Sequence, residues 1–327
     1  MKVFVTGAAG FLGSAVARAA AAAGHEVAGL HRPNSRLAYA GDTPDVEAVA
    51  GDLRQPGAWR TALADAEAVI HCAAAASGDL ATQLAGTVLA TENLLAALPS
   101  GLKRFVHVSS FSVYDFGAPS WFGKLDERTA AERNPARRDA YTQTKLLQEE
   151  MIHAHCREHG IPLVVVRPGA IYGPGKDWDF GRAMKLGKLD LIFAPLARMR
   201  LVHVDDCARA LVAALGAPVE GELVVNVVGE DQPTHWGFHR RAKRAGAPVG
   251  MAIPVPYAFV RALGGAAWLA SRLFFGGRAR LPEMLDLPRQ QARWRNLRYP
   301  AKQAKARLGW TEATRLGDGI KEIARPK

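Results

Sequence analysis

Thr6-Gly7-Ala8-Ala9-Gly10-Phe11-Leu12-Gly13 joins a short apolar run, residues 2–6, to an alanine-rich stretch, residues 11–23, that closes at Gly24. Glycines three apart at such a junction serve close backbone approach. Gly7 suits a tight turn, Gly10 lets a pyrophosphate reach the amides at a helix N-terminus, and Gly13 lets helix and strand pack together. A glycine-rich loop alone is weak evidence. With a strand before it and an amphipathic helix after it, it reads as a dinucleotide-binding turn.

Outward from that turn, apolar runs at 26–30, 46–50, 68–72, 104–108 and 162–167 alternate with helical stretches at 57–65, 79–98 and 139–159. The runs lack polar alternation, so the strands are expected to be buried on both faces of a parallel sheet. The expected class is α/β, a doubly wound parallel sheet. After Pro168 the rhythm breaks into Gly-Pro-Gly and scattered aromatics. A helix at 205–215 and a strand at 223–228 then follow, and the remainder is basic and reads as helical. This predicts a nucleotide-binding domain over 1–169, to which 201–228 returns. A smaller, mainly helical substrate lobe is built from 170–200 and 229–327.

The 327 residues carry a formal charge of +11, but residues 276–327 hold 13 Lys/Arg against 5 Asp/Glu, so the excess is mostly a basic tail. No zinc finger or aromatic-interleaved strand motif accompanies it, and nucleic acid is not an expected partner. Cys72, Cys156 and Cys207 lie far apart, one must stay unpaired, and none has zinc-site spacing. They read as buried thiols in a reducing cytoplasm, with no metal expected. The first apolar stretch is too short for a secretory leader.

Cofactor choice depends on the end of the second strand, Gly29-Leu30-His31-Arg32. A carboxylate there would receive the adenosine ribose. Arg32 instead offers charge-assisted bonds to a 2′-phosphate, which favours NADP(H) over NAD(H). Asp52, after the third strand, can accept from the adenine amino group.

Tyr141 and Lys145 lie four apart in a helical stretch and so share a face. With 6 Tyr and 12 Lys in the chain, about 0.2 such pairs arise by chance. A second pair, Tyr172 and Lys176, encloses Gly173-Pro174-Gly175, which cannot form the aligning helix. A phenol has a pKa of about 10, and bringing it near 7 takes roughly 4 kcal/mol. An ammonium about 4 Å away at an effective dielectric near 20 supplies an interaction of that size. Ser109 and Ser112, just past the strand 104–108, compete as donors to a substrate oxygen.

Together TGAAGFLG at 6–13, GDL at 51–53, VSSFSVY at 108–114, YTQTK at 141–145, RPGAIYGPG at 167–175 and VHVDDCA at 202–208 resemble the extended short-chain dehydrogenases/reductases, which include the NAD-dependent epimerase/dehydratases. Leu308-Gly309-Trp310 looks like that family's C-terminal ending. The resemblance implies a Rossmann fold and assigns Ser110 to the substrate oxygen, Tyr141 to general acid/base work and Lys145 to the nicotinamide ribose. It places the cofactor against Thr6, Gly7, Gly10, Phe11, Leu12, Gly13, Arg32, Asp52, Leu53 and Ala73, with backbone from Pro168 to Ile171 at the carboxamide. It also implies a homodimer.

Departures from the pattern guide the substrate. Thr87 stands where the family often has a relay asparagine, Ala170 where sugar-nucleotide members have Asn, and Met199 where they have Arg. Ser110 does not begin their Thr-Asp-Glu triplet. The run 167–175 looks more like the hydroxysteroid dehydrogenase and flavonoid reductase branch. The expected activity is hydride transfer between nicotinamide and an apolar or aromatic ketone or alcohol. The alternatives are a nucleotide-sugar epimerase that holds NAD tightly and a catalytically silent nucleotide-sensing protein. His203, Asp205 and Asp206 look like metal ligands, but the resemblance makes them a helix start capped by Asp205. Residues 257–275 are nearly all apolar yet carry Arg261 and Arg272. They read as a helix over the substrate pocket or as one lying on a membrane surface.

Overall fold

The computed structural model describes residues 1–36, 45–176, 184–276, 278–279 and 282–324. Part of the expected substrate lobe, residues 177–183, lies outside that set. The first half runs β1 (Lys2–Thr6), α1 (Phe11–Ala22), β2 (Glu26–His31), β3 (Val46–Ala50), α2 (Trp59–Ala64), β4 (Ala68–His71), α3 (Leu80–Gln83), α4 (Ala90–Leu95), β5 (Arg104–Val108), α5 (Ala140–Glu158) and β6 (Leu163–Pro168). The second half adds β7 (Ala170–Tyr172), β8 (Met184–Leu186), β9 (Leu189–Phe193), β10 (Leu201–His203), α6 (Val204–Ala213), β11 (Glu222–Val227), α7 (His235–Arg244), β12 (Met251–Val255), α8 (Tyr257–Phe275), α9 (Leu287–Trp294), α10 (Lys302–Leu308) and α11 (Leu316–Ala324).

Seven parallel strands form the main sheet in the order β11-β6-β5-β4-β1-β2-β3. The winding reverses between β1 and β4, and a crevice opens at the carboxyl ends of those two strands, the usual ligand position in such sheets. The strands are nearly pure Val, Ile, Leu and Phe because helices cover both faces. On one face α1 and α6 bury Ala15, Val16, Cys207, Ala208 and Leu211. On the other, Trp59, Leu94 and Ile152 from α2, α4 and α5 pack over Phe4, Val69 and Phe105. Each of the larger aliphatic and aromatic side chains among these contributes about 1.5–3 kcal/mol on burial. Alanines along α1 keep it thin enough for α6 to lie close.

Two local features shape the site. Asp139 caps α5, its carboxylate accepting from the Thr142 amide at 2.7 Å, which fixes the start of the helix carrying Tyr141. The expected helix at 79–98 is interrupted by a π turn at Leu84–Leu89. Gly86 there lies so close to Ala75 that an added methyl would sit 2.8 Å from the Ala75 Cβ.

The C-terminal lobe holds more strand than expected. β12, β9 and β8 make a three-stranded sheet, and β10 pairs with β7. Two residues hide these strands from a pattern reading. Pro254 in β12 argues against a central strand, but β12 is an edge. Asp190 breaks the apolar run of β9, yet it is buried between His239 Nε2 (3.1 Å) and the Gly250 amide (2.7 Å). At the start of α6 the capping acceptor is His203, whose Nδ1 takes the Asp205 amide. Asp205 lies in the first turn and is not the cap. Asp206 is buried and accepts from the amides of Ala313 and Thr314, both at 3.1 Å.

Candidate active site

Gly7 has φ +69°, and its carbonyl accepts the Gly10 amide at 2.8 Å. A methyl on Gly13 would sit 2.1 Å from that same carbonyl, and one on Gly7 would sit 3.1 Å from the Ala73 amide nitrogen. The loop therefore tolerates only glycine at two of its three glycine positions. No side chain caps α1, so its first amides face the crevice, a ready anion seat. These features fit a dinucleotide pyrophosphate.

A cleft of about 470 Å³ opens over this loop, with Gly7, Gly10, Arg32, Asp52, Leu53 and Ala73 on its walls. Thr6, Phe11, Leu12, Gly13, Pro168 and Ile171 are not on those walls. Thr6 is buried behind the loop, where its hydroxyl accepts the Ala73 amide at 3.1 Å and bonds His71 Nδ1 at 2.7 Å. Past Pro168, the amides of Gly169 and Ala170 are spent on the carbonyls of Val227 (2.9 Å) and Arg200 (2.7 Å). Arg54 clamps Asp52 through Nε (2.9 Å) and Nη2 (2.6 Å) and holds its carboxyl below the ordinary range. An adenine amino group at Asp52 would compete with that clamp.

Of the three candidate serines, Ser110 is the one placed close enough to Tyr141 for its hydroxyl to act on the phenol. Ser110 Oγ also accepts the Ser112 amide at 3.1 Å. Ser109 is committed elsewhere, since its hydroxyl donates to the buried Glu149 carboxylate. The Tyr141 phenol is pushed up from its ordinary value: burial raises it, the Ser110 hydroxyl opposes, and the Asp139 carboxylate adds to the rise. The expected depression by Lys145 is not found. Lys145 is buried, and its Nζ is held by the Val108 carbonyl at 2.6 Å and by Gln148 Oε1 at 2.5 Å.

Gln148 extends this hold into the fold. Its Nε2 donates to Thr91 Oγ1 at 2.8 Å and to the Ala73 carbonyl at 3.2 Å, and lies 3.0 Å from His71 Nε2. Since an ammonium only donates, the glutamine oxygen must face Lys145, which settles the amide orientation. Burial drives His71 down to about 3, so the ring stays neutral. A continuous polar line therefore runs from Lys145 through Gln148 and His71 to Thr6, beneath the glycine loop. Sequence reading missed Gln148; its position three residues after Lys145 on the same helix is the signal that was there.

A second cavity, of about 250 Å³, lies beside Ser112, Asp139 and Thr142 and reaches α9. Arg138, Arg200, Arg289 and Arg293 line it. Arg200 is stacked over Phe116 at 4.8 Å and Arg138 is buried, bonded to the carbonyls of Ser112 and Tyr114. Arg138 pairs with Glu132 at 3.2 Å and Arg289 with Asp286 at 3.4 Å, so two of these four guanidinium groups already answer carboxylates.

Residues 3–228 match the model of the NAD dependent epimerase/dehydratase family. The chain belongs to that family. Within the epimerase/dehydratase family it is similar to a 2-alkyl-3-oxoalkanoate reductase of Stenotrophomonas maltophilia, 29% identical over 261 residues, which are 76% of this chain and 77% of the relative. It is also similar to a UDP-glucose 4-epimerase of Vibrio cholerae, 25% identical over 287 residues, or 84% and 80% of the two chains. In fold it is similar to the crystal structure of UDP-glucuronic acid 4-epimerase from Bacillus cereus in complex with NAD (TM-score 0.74, 21% identity, 99% and 96% covered). These relatives include a reductase as well as an epimerase, and none of them singles out an apolar ketone or alcohol as substrate; the Bacillus cereus likeness shows the shared fold. The family is NAD-dependent, and a preference for NADP is a separate matter.

Against the family pattern, Thr87 does not stand free as a relay group. It is buried on the π turn, its hydroxyl accepts the Ala75 amide at 2.9 Å, and its carbonyl accepts Thr91 Oγ1 at 2.6 Å.

Proposed function

We propose that the chain moves hydride between a bound nicotinamide and the hydroxyl or carbonyl carbon of a small molecule that carries an anionic group. The observation that carries this reading is the closeness of Ser110 to Tyr141, with Lys145 one helical turn along and joined through Gln148 to the Ala73 carbonyl on the wall of the glycine-loop cleft. NAD(P) supplies the hydride acceptor or donor. Ser110 is suited to donate to the substrate oxygen and Tyr141 to exchange a proton there. A phenol held above its ordinary value is protonated at neutral pH, which favours donation to a carbonyl oxygen in the reductive direction. Lys145, held as a cation, is assigned to the nicotinamide ribose.

The arginine-lined cavity supports an anionic substrate. A 3-oxo acid, as in the name of the Stenotrophomonas relative, offers a carboxylate beside a reducible carbonyl. Ala170 and Met199 remove two groups expected of a sugar-nucleotide site, which supports this choice. The second reading, an epimerase retaining NAD on a nucleotide sugar, is supported by the Vibrio and Bacillus likenesses, and a diphosphate also suits an arginine-lined cavity. For the cofactor, Arg32 and Arg36 line the cleft where no carboxylate ends β2, which supports a preference for NADP(H).

The test is a screen of purified protein with NADH and NADPH over 3-oxo acids, neutral ketones and UDP-sugars, with the bound-cofactor spectrum recorded first. Turnover of a 3-oxo acid by protein without retained cofactor supports the lead reading. Retained NAD with UDP-sugar interconversion replaces it by the second. Cofactor binding without turnover of any substrate leaves the silent nucleotide-sensing protein.

A further inference from the structure

Helix α8 has an inner and an outer side of opposite character. Its inner side is tied down. Gly264 lies so close to α9 that an added methyl would sit 2.4 Å from Gln290 Nε2, and that amide donates to the carbonyls of Val260 (3.2 Å) and Met284 (2.9 Å). On the outer side Phe259, Leu263, Ala266, Ala270, Leu273 and Phe274 recur at steps that keep one face of a helix. All six are exposed, Leu273 at 69% and Phe274 at 78%. The helix does not close over the second cavity with this face.

The chemistry around the stripe indicates its occupant. Residues 257–275 contain no carboxylate. Arg272 sits over the Trp268 ring at 5.4 Å and Arg261 over Trp121 at 5.5 Å, and both tryptophans are exposed. Arg278 follows just past the helix. Arg261, Trp268 and Arg272 fall on the side of the helix opposite the stripe, and an apolar face opposed by cations is the pattern of a helix lying in the headgroup region of a bilayer, with cations drawn to anionic lipid. Among the described residues no helix is long and apolar enough to cross a membrane.

We propose that the outer face of α8 docks the protein onto an anionic lipid surface, the apolar stripe entering the acyl boundary and Arg261 and Arg272 at headgroup level on the far side of the helix. The proposal does not depend on the reading of the active site. It accounts for both an exposed apolar stripe and the absence of acid within the helix that carries it, where a protein partner would require only the first.

The test is co-sedimentation of the full chain with vesicles of phosphatidylcholine alone or mixed with phosphatidylglycerol, with analytical ultracentrifugation in parallel. The anionic vesicles should bind the wild type more tightly, by roughly fivefold for each arginine engaged. Leu273→Ser with Phe274→Ser should abolish binding, and Arg272→Glu should remove the preference for anionic lipid. Circular dichroism and cofactor titration check that each variant is folded. Absence of binding to either vesicle overturns the proposal, and a dimer dissolved by the double variant would then assign the stripe to a second copy. Equal binding to both vesicles overturns the role of charge, and binding unchanged in the double variant places the contact elsewhere.

Discussion

Gln148 Oε1 stands 2.5 Å from Lys145 Nζ, on the next turn of the same helix, and the pair is buried. Removing hydration pulls Lys145 down to about 8, while the Glu149 carboxylate and Cys72 oppose that fall. His71 at the end of β4, Cys72 just after it and His107 on β5 are the other titratable groups facing it.

Gln148→Leu takes an acceptor from the cation, so Lys145 should lose its proton at lower pH. A hydrogen bond to a charge contributes about 1.5–3 kcal/mol, so the alkaline limb of the turnover profile should move down by about one to two pH units. Gln148→Glu should move it up. An unchanged limb in both variants would show that the glutamine only fills space.

Replacing Tyr141 with Phe removes the hydroxyl beside Ser110. Turnover should fall by about 10²–10⁴-fold, while cofactor affinity, read by fluorescence titration, should stay within about twofold. Full turnover by this variant would end the acid/base assignment.

Arg167 and Glu149 form a buried ion pair, with Arg167 Nε 3.2 Å from Oε2 and its guanidinium 4.6 Å above the Tyr114 ring. Burial alone would raise the Glu149 pKa, but hydrogen bonds from His153, Arg167 and Ser109 outweigh it and bring the carboxyl from 4.5 to about 2. A depressed carboxyl stabilises the fold fully above its unfolded value. Its contribution should therefore fade as pH falls from about 4.5 toward about 2. Glu149→Gln leaves Arg167 unpaired and should cost about 3–5 kcal/mol in urea denaturation at neutral pH. A loss below about 1 kcal/mol would mean that solvent reaches the pair.

Cofactor choice is tested at Arg32. Arg32→Ala should weaken NADPH by about 10-fold or more and leave NADH nearly unchanged, since a charge-assisted phosphate contact is lost from only one of them. Isothermal titration with both nucleotides reads the difference. Equal losses would show that the arginine does not meet a 2′-phosphate.

The main sheet and the glycine turn were legible because burial on both faces writes unbroken apolar runs and because Gly13 admits no side chain. Tyr141 and Lys145 were legible from helical spacing. The direction of the tyrosine shift was not, because Lys145 spends its charge on Val108 and Gln148, a choice made by packing. β9 and β12 were hidden by Asp190 and Pro254, which tertiary partners and edge placement make tolerable. The four arginines of the second cavity come from three separate stretches of chain and converge only in the folded state.

Strand β11 completes the sheet, and α6 supplies the cover for α1. During synthesis, therefore, the nucleotide turn near the start of the message waits on codons about two hundred places downstream. A nascent chain released at Gly169 would expose the apolar flank of α1 to water and should be captured by chaperones or degraded rather than fold as a working half.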